Sequence, residues 1–443
     1  MAAGTSSQPN GHLGSSHLHE LLGDCVHCGF CLPACPTYQL WGDEADSPRG
    51  RIHIVGQLAA GTRLPGASPA SSAVAHLDRC LSCMACVTAC PSGVRYGEII
   101  EEARAGIETE SPRSLRERLT RWAVFSLFPY PGRLRAARLF LVAGERAGIR
   151  KLVRDSRLAK HLPPLVTTME RLAPRATPLC RLPERAPAQG RRRGVVGMLT
   201  GCVQSVFFSQ VNAATARVLS VEGFEVVVPR GQGCCGALSL HAGRKAEAAR
   251  LARGNVAAFK AAGVDLVVVN SAGCGSAMKE YARLFAGDPD YEGEANWLAE
   301  HTRDLSELLA AVEPRAERHP LPAKVAFHDA CHLAHAQGIR AEPRELLRQI
   351  PGVELCEVGD DNCCGSAGVY NLLQPEAASQ LGQRKAAAIA TTGAEMVVST
   401  NPGCLMQIST WSETAGRPVR TAHLAEILDS SINGPPAARR SPS

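Results

Sequence analysis

The stretch Cys25-Val-His-Cys28-Gly-Phe-Cys31-Leu-Pro-Ala-Cys35-Pro36 returns as Cys80-Leu-Ser-Cys83-Met-Ala-Cys86-Val-Thr-Ala-Cys90-Pro91, both of the form C-x2-C-x2-C-x3-C-P. A 4Fe-4S cubane has four irons, each needing one thiolate, and three cysteines spaced by two residues can wrap one face of it. Where two such runs share a chain, the fourth cysteine of each ligates the other run's cluster. The spacing predicts one cluster on Cys25, Cys28, Cys31 and Cys90 and a second on Cys80, Cys83, Cys86 and Cys35. Zinc also accepts four cysteines, but its sites usually draw them from two well separated C-x2-C pairs. His27 lies between two ligands and reads as a surface residue or one that orients a ligand, since every iron already has its cysteine. Crosswise ligation brings both clusters into one small unit, across which electrons can hop.

That unit cannot account for the whole chain. Its 443 residues allow two to four domains at roughly 100 to 200 residues each. Hydrophobic residues make up 45% and charged residues 20%, near the globular averages, which excludes bulk disorder. The formal charge is +6, from 48 basic and 42 acidic residues, dispersed except at Arg191-Arg192-Arg193. No nucleic-acid footprint follows from that balance, and the triple arginine reads as a solvated linker. Residues 1–20 are rich in Ser, Gly, His and Gln and lack the basic start and apolar stretch of a signal peptide. No run of about 18 apolar residues occurs. A cytoplasmic chain is expected, soluble or in peripheral contact with a membrane. Its 18 cysteines then point to metal ligation, because cytosolic reductants keep thiols reduced.

Outward from the first unit, residues 111–190 are rich in Arg, Leu, Ala and Pro, with helix-like stretches at Leu115–Phe128 and Leu134–Ala147 broken by prolines. The aromatics Trp122, Phe125, Phe128 and Tyr130 of this connector are expected to pack against the N-terminal module. After Gly194 the pattern becomes strand, helix, strand, helix, strand: Val195–Leu199, Val203–Leu219, Phe224–Val228, Ala237–Ala262 and Val264–Val269. It returns as Lys324–Phe327, Arg344–Gln349, Val353–Val358, Gln374–Thr391 and Glu395–Ser399. This rhythm favours a parallel sheet covered by helices, built twice. Cys202, Cys234 and Cys235 pair with Cys331, Cys363 and Cys364 at an offset of 129, and Cys274 pairs with Cys404 at 130.

Each repeat thus supplies one cysteine after its first strand, an adjacent pair before glycine after its second, and one after its third. All are strand carboxyl ends, the edge at which parallel sheets form ligand crevices. Cys202, Cys234, Cys235 and Cys274 are expected to converge, as are Cys331, Cys363, Cys364 and Cys404. Metal, cluster or redox-thiol chemistry suits eight cysteines duplicated in register better than buried packing does. His328, His332 and His335 surround Cys331, where the first repeat has Leu199, Val203 and Val206. These histidines read as residues that orient ligands or handle protons rather than as zinc ligands.

The two cysteine runs, Asp46-Ser-Pro-Arg-Gly-Arg51, His328-Asp-Ala-Cys-His-Leu-Ala-His-Ala-Gln337, Asn362-Cys-Cys-Gly-Ser-Ala-Gly368 and Thr400-Asn-Pro-Gly-Cys404 resemble the iron-sulfur subunits of bacterial glycolate oxidase, also called glycolate dehydrogenase. The resemblance spans nearly the whole chain. It implies an electron-transfer subunit beside FAD-binding subunits that oxidise glycolate to glyoxylate, with electrons passed toward the respiratory chain and quinone as acceptor. No G-x-G-x-x-G fingerprint opens a β-α-β unit here, in keeping with flavin held in a partner. The duplicated portion resembles the cysteine-rich domains of heterodisulfide reductases, whose full motif ends in C-x-x-C and can hold an unusual 4Fe-4S cluster. Ala277 and Gln407 replace that last cysteine. Four candidate ligands per repeat remain, for one further cluster, two or none.

The expected architecture is α/β, with an N-terminal α-helical two-cluster ferredoxin-like module (15–110), a helical connector (111–193) and duplicated cysteine-rich repeats (194–318 and 319–430). The expected function is electron relay in a glycolate oxidase complex, possessing no substrate chemistry of its own. Its rivals are the equivalent subunit of a lactate or glycerol 3-phosphate dehydrogenase, a heterodisulfide reductase subunit and, from another class, a zinc-binding scaffold.

Overall fold

Proline at the first helical position starts two helices of the amino-terminal region, Pro36–Trp41 and Pro48–Ala59, where its missing N–H would have had no partner in any case. Ser47 caps the second by accepting the N–H of Gly50. The computed structural model describes residues 12–61, 69–110, 113–148, 164–173 and 178–434. The first eleven residues of the Ser-rich start and residues 149–163 and 174–177 of the connector lie outside that description.

The chain forms two compact units. One comprises Met1–Glu117 with Ser239–Lys245, and the other Arg118–Leu238 with Ala246–Ser443. Among its described residues the first unit is helical throughout. Helix Tyr96–Glu110 turns Ile99, Ile100, Ala103 and Ile107 to one side, where they are buried with Leu18, Leu21, Ile52, Val55 and Leu77. Each such Leu or Ile contributes about 1.5–3 kcal/mol on burial. Cys80 and Cys86 belong to the same buried cluster, so the core itself fixes the second cysteine run. Segment Ser239–Lys245 joins this unit through His241, whose carbonyl accepts from Arg104 (2.8 Å) and whose ring meets Glu101 (3.1 Å), and through Lys245 on Glu102 (2.9 Å).

In the second unit the apolar runs form two sheets. The first holds β1 (Arg185–Ala186), β2 (Gly194–Met198), β3 (Phe224–Val227), β4 (Leu266–Val269) and β5 (Thr302–Asp304), in the order β1-β3-β2-β4-β5. The second holds β6 (Ala323–Phe327), β7 (Val353–Glu357), β8 (Met396–Ser399) and β9 (Arg420–His423), in the order β7-β6-β8-β9. Apart from the antiparallel β1, all pairings are parallel, and β4 and β8 are buried Val-rich strands of the kind parallel sheets require. Both sheets therefore carry one strand order. Helix Ser209–Val221 of the first repeat and helix Leu424–Asn433 of the second share a core through Val218, Leu219, Leu424 and Leu428, reinforced by Arg217 on Asp429 (2.6 Å).

Several expectations shift. The long helix over 203–219 breaks at Phe208, and the one over 237–262 breaks after His241, where Arg244 N–H turns back to Ser239 O (2.8 Å). Two of the four connector aromatics have partners in the second unit. Phe128 lies with Leu134, Val206, Cys202 and Cys234, and Tyr130 bonds Glu247 and Arg250, because Leu134 brings an apolar helix face to the first repeat. Trp122 stays 67% exposed. Among the described residues no helix is long and apolar enough to cross a membrane.

Candidate metal centres

Cys25, Cys28, Cys31 and Cys90 line one cavity of the first unit, with Cys86, Ile52, Val94 and Tyr96 as further walls. Left-handed backbone at His27 (φ 54°) and Gly29 (φ 86°) brackets Cys28, and the same pair of turns at Ser82 (φ 53°) and Met84 (φ 62°) brackets Cys83. A side chain in that region costs about 1–2 kcal/mol. The turns point successive N–H groups to one side, an arrangement that receives anionic ligands. Ser82 N–H already donates to Cys80 Sγ at 3.4 Å. Cys28 is exposed, and Val26 (69%) and Phe30 (67%) stand exposed beside it.

Cys35, Cys80, Cys83 and Cys86 are all buried, and cations surround them. Arg51 is 1% exposed. It donates to His76 O (2.8 Å), Thr37 Oγ1 (3.0 Å) and Asp46 Oδ1 (3.2 Å), and Nη1 stands 3.9 Å from Cys35 Sγ. Arg104, also buried, donates to Ser82 Oγ (2.8 Å), Leu77 O (2.9 Å) and Cys80 O (2.6 Å). Burial pushes the Cys80 thiol up, but Arg51, Arg104 and the Ser82 N–H outweigh it and hold Cys80 below its ordinary value. Cys86, whose burial is joined by neighbouring thiols, is pushed well above. Four buried sulfurs beside two buried guanidinium groups form a site suited to a group of net negative charge, as a thiolate-bound cluster is. The role of Asp46-Ser-Pro-Arg-Gly-Arg51 is thereby explained: it holds a buried cation, itself anchored on Asp46, against Cys35.

In the second unit each repeat does bring its four cysteines together. Cys202 meets Cys234, Cys234 meets Cys235, and Cys235 meets Cys274 through thiol hydrogen bonds. The contact with Cys202 raises Cys234, that with Cys234 raises Cys235 and that with Cys235 raises Cys274; with burial these outweigh the opposing thiol contacts and carry all three well above the ordinary thiol value. Cys331 lies 3.9 Å from Cys363, Cys363 meets Cys364, and Cys364 meets Cys404. The hydrogen bond with Cys363 lowers Cys364, while Cys404 and burial raise it well above its usual value. Crowded buried thiols of this kind lose their protons to a soft metal, which is the chemistry such donor sets support.

The histidines divide. His328 is buried, its Nε2 is unpartnered, and a ring nitrogen lies within 4.8 Å of the Cys364 and Cys404 sulfurs. Burial, aided by the charge of Lys385, pushes His328 down to about 3, so it is neutral. His332 Nδ1 stands 3.6 Å from Cys331 Sγ. His335 faces Arg340 (3.3 Å) instead, and burial followed by that guanidinium lowers it to about 4.

Sequence reasoning missed the residues that hold the sulfurs. Asn255 Nδ2 donates to Cys234 O (3.0 Å) and Tyr281 Oη to Cys235 O (2.7 Å), fixing the Cys-Cys turn of the first repeat. Lys385, 1% exposed, bonds Asp360 (3.2 Å). The missed signal was a charge on an apolar stripe: Arg104 sits between Ile100 and Ile107, and Lys385 between Leu381 and Ile389.

Comparison with known proteins agrees with this geometry. Residues 21–94 match the 4Fe-4S dicluster domain family, 196–279 and 325–409 each match the cysteine-rich (CCG) domain family, and 116–173 match the linker region of glycolate oxidase iron-sulfur subunits. The probable glycolate oxidase iron-sulfur subunit of Bacillus subtilis strain 168 is 38% identical over 92% of this chain and 93% of its own length. The glycolate oxidase iron-sulfur subunit of Escherichia coli K12 is 36% identical over 93% and 95%. This chain belongs to the family of glycolate oxidase iron-sulfur subunits. Members of another group are similar over part of it: lactate utilization protein A of Bacillus velezensis is 32% identical over 53% of this chain and 99% of its own. As a member of the glycolate oxidase family the chain is an electron-transfer iron-sulfur subunit.

Proposed function

We propose that the chain takes electrons from an FAD-binding partner subunit that oxidises glycolate to glyoxylate, and delivers them to a quinone of the respiratory chain at the cytoplasmic face of the membrane. The balance closes: glycolate oxidation releases two electrons and two protons, and reduction of a quinone to its quinol consumes both. The observation that carries this reading is the cavity shared by Cys25, Cys28, Cys31 and Cys90. It supports crosswise ligation of two 4Fe-4S clusters, one on those four residues and one on Cys80, Cys83, Cys86 and Cys35. The clusters, when bound, supply one-electron storage at two adjacent points.

The chain's own residues set how each point is used. Exposed Cys28, rimmed by Val26 and Phe30, forms an apolar edge against which a redox partner can dock. Arg51 and Arg104 stabilise the more reduced, more negative state of the buried site. The exposed Trp122, Leu139 and Phe140 on arginine-rich connector helices fit contact with an anionic membrane surface. Glycolate is favoured over lactate because the glycolate relatives and their linker family match the connector, whereas lactate utilization protein A covers about half the chain.

The test is Cys83→Ala in the assembled complex. Reduction of the partner's flavin by glycolate should persist while quinone reduction stops, as followed by flavin absorbance and quinol formation. Undiminished quinone turnover would sink the proposal.

A further inference from the structure

We propose that His328 is a direct metal ligand in the second cysteine-rich repeat, its imidazole taking a coordination position that a fifth cysteine would otherwise fill. The repeat then holds an iron-sulfur centre with mixed sulfur and nitrogen ligation. This rests on reading the repeat as a metal centre.

His328 follows β6 directly, at the strand end where Cys331, Cys363, Cys364 and Cys404 gather. Its side chain is 2% exposed, and Nε2 has no hydrogen-bond partner. Other buried side-chain atoms of the chain also lack a partner, His423 Nε2 among them; what sets His328 apart is that its ring also lies against two buried sulfurs. One ring nitrogen lies within 4.8 Å of both the Cys364 and Cys404 sulfurs, which are themselves that close to each other. The donor set is elongated: Cys331 contacts Cys363, Cys363 contacts Cys364, and Cys364 contacts Cys404 beside His328. Five donors strung out in this way exceed what one tetrahedral ion takes and suit a centre of more than one iron.

Gln407 stands where the fifth cysteine would. It is buried, its Nε2 donates to Ala378 O at 2.8 Å, and its Oε1 has no partner, but a neutral amide oxygen is a harder and weaker donor to iron than an imidazole nitrogen. The first repeat offers a control within the same chain, because Leu199 stands in register with His328 and Ala277 with Gln407. In register with the five donors of the second repeat it has four sulfurs and a leucine. The two repeats are then chemically different centres on one scaffold. A neutral imidazole in place of a thiolate leaves less negative charge on the iron and raises the reduction potential, as histidine ligation does in Rieske-type centres.

The test uses the full chain, purified anaerobically, with pulsed EPR of the reduced protein. A strongly coupled nitrogen should appear, change on labelling histidine with 15N, and disappear in His328→Leu, which copies the residue of the first repeat. His328→Cys should keep the iron content and shift the midpoint potential of that centre downward, a readout that survives if the leucine variant fails to fold. Nitrogen coupling that persists in His328→Leu overturns the proposal. Iron lost in Cys364→Ala with no histidine coupling in the parent protein overturns the ligand assignment alone. Iron unchanged in Cys364→Ala removes the metal-centre reading and the ligand assignment with it.

Discussion

The two cysteine-rich repeats share strand order, the placement of four cysteines and the left-handed glycine of Cys-Cys-Gly, yet their sulfurs have different neighbours. Asn255 and Tyr281 hold the first Cys-Cys turn with neutral hydrogen bonds. At the positions in register with them the second repeat has Lys385 and Trp411, and it adds His328 where the first has Leu199. A duplicated backbone delivers sulfur to the same strand ends twice, and the side chains behind the sulfurs then decide the charge each centre can carry. What is duplicated is the delivery, not the chemistry.

The sharpest way to break that comparison is to empty one repeat at a time. Cys234→Ala and Cys363→Ala should each remove the metal of their own repeat and leave the other loaded, by iron and sulfide analysis of anaerobically purified protein. Loss of both centres from one substitution would make the repeats a single site rather than two variants of one scaffold.

A smaller effect tests the part that is shared. Gly236 (φ 86°) and Gly365 (φ 85°) are left-handed, and a Cβ at either would stand 2.9 Å from Ala248 O or 2.8 Å from Ala378 O. Alanine there adds backbone strain of about 1–2 kcal/mol to a clash worth about 1–3 kcal/mol. Gly236→Ala and Gly365→Ala should therefore lower thermal stability by similar amounts. A large inequality between them would show that the two turns are not equivalent.

How much of this was legible depends on where the signal lies. The duplication was written in the spacing of cysteines and glycines, and the inner strands in their apolar runs. β5 and β9 were not visible, since Thr302-Arg-Asp304 and Arg420-Thr-Ala-His423 are polar and become strands by pairing with β4 and β8. The grouping of Ser239–Lys245 with the first unit depends on Arg104 and Glu101, residues far away in sequence, and no local pattern announces it. Spacing grouped the cysteines. The buried cations, Arg104 beside Cys80 and Lys385 on Asp360, could have been found by asking why they interrupt apolar helix stripes.

The finest contrast between the repeats is at two equivalent helix caps. Asp304 caps Leu305–Ala310 after β5, accepting from Ser306 N (2.8 Å), and His423 caps Leu424–Asn433 after β9, accepting from Ala425 N at Nδ1 (3.1 Å). Burial raises Asp304 to about 6, above its ordinary 3.8, so its contribution is fully present below pH 3.8 and is lost as pH rises through 6. Burial lowers His423 to about 4 from 6.5, so its contribution is present above pH 6.5 and is lost as pH falls toward 4. Between pH 4 and 6 the two caps therefore respond in opposite directions, each by at most about 1.4 kcal/mol per pH unit. Amide exchange, corrected for its intrinsic pH dependence, should show protection rising in 305–310 and falling in 424–433 as the solution is acidified. Asp304→Asn and His423→Asn keep a capping side chain and should each flatten only their own response. Glu426, raised by burial beside His423, is present in both the parent and His423→Asn, so the difference between them reports the histidine. If both helices respond in the same direction, the caps are not the groups that make the repeats differ in acid.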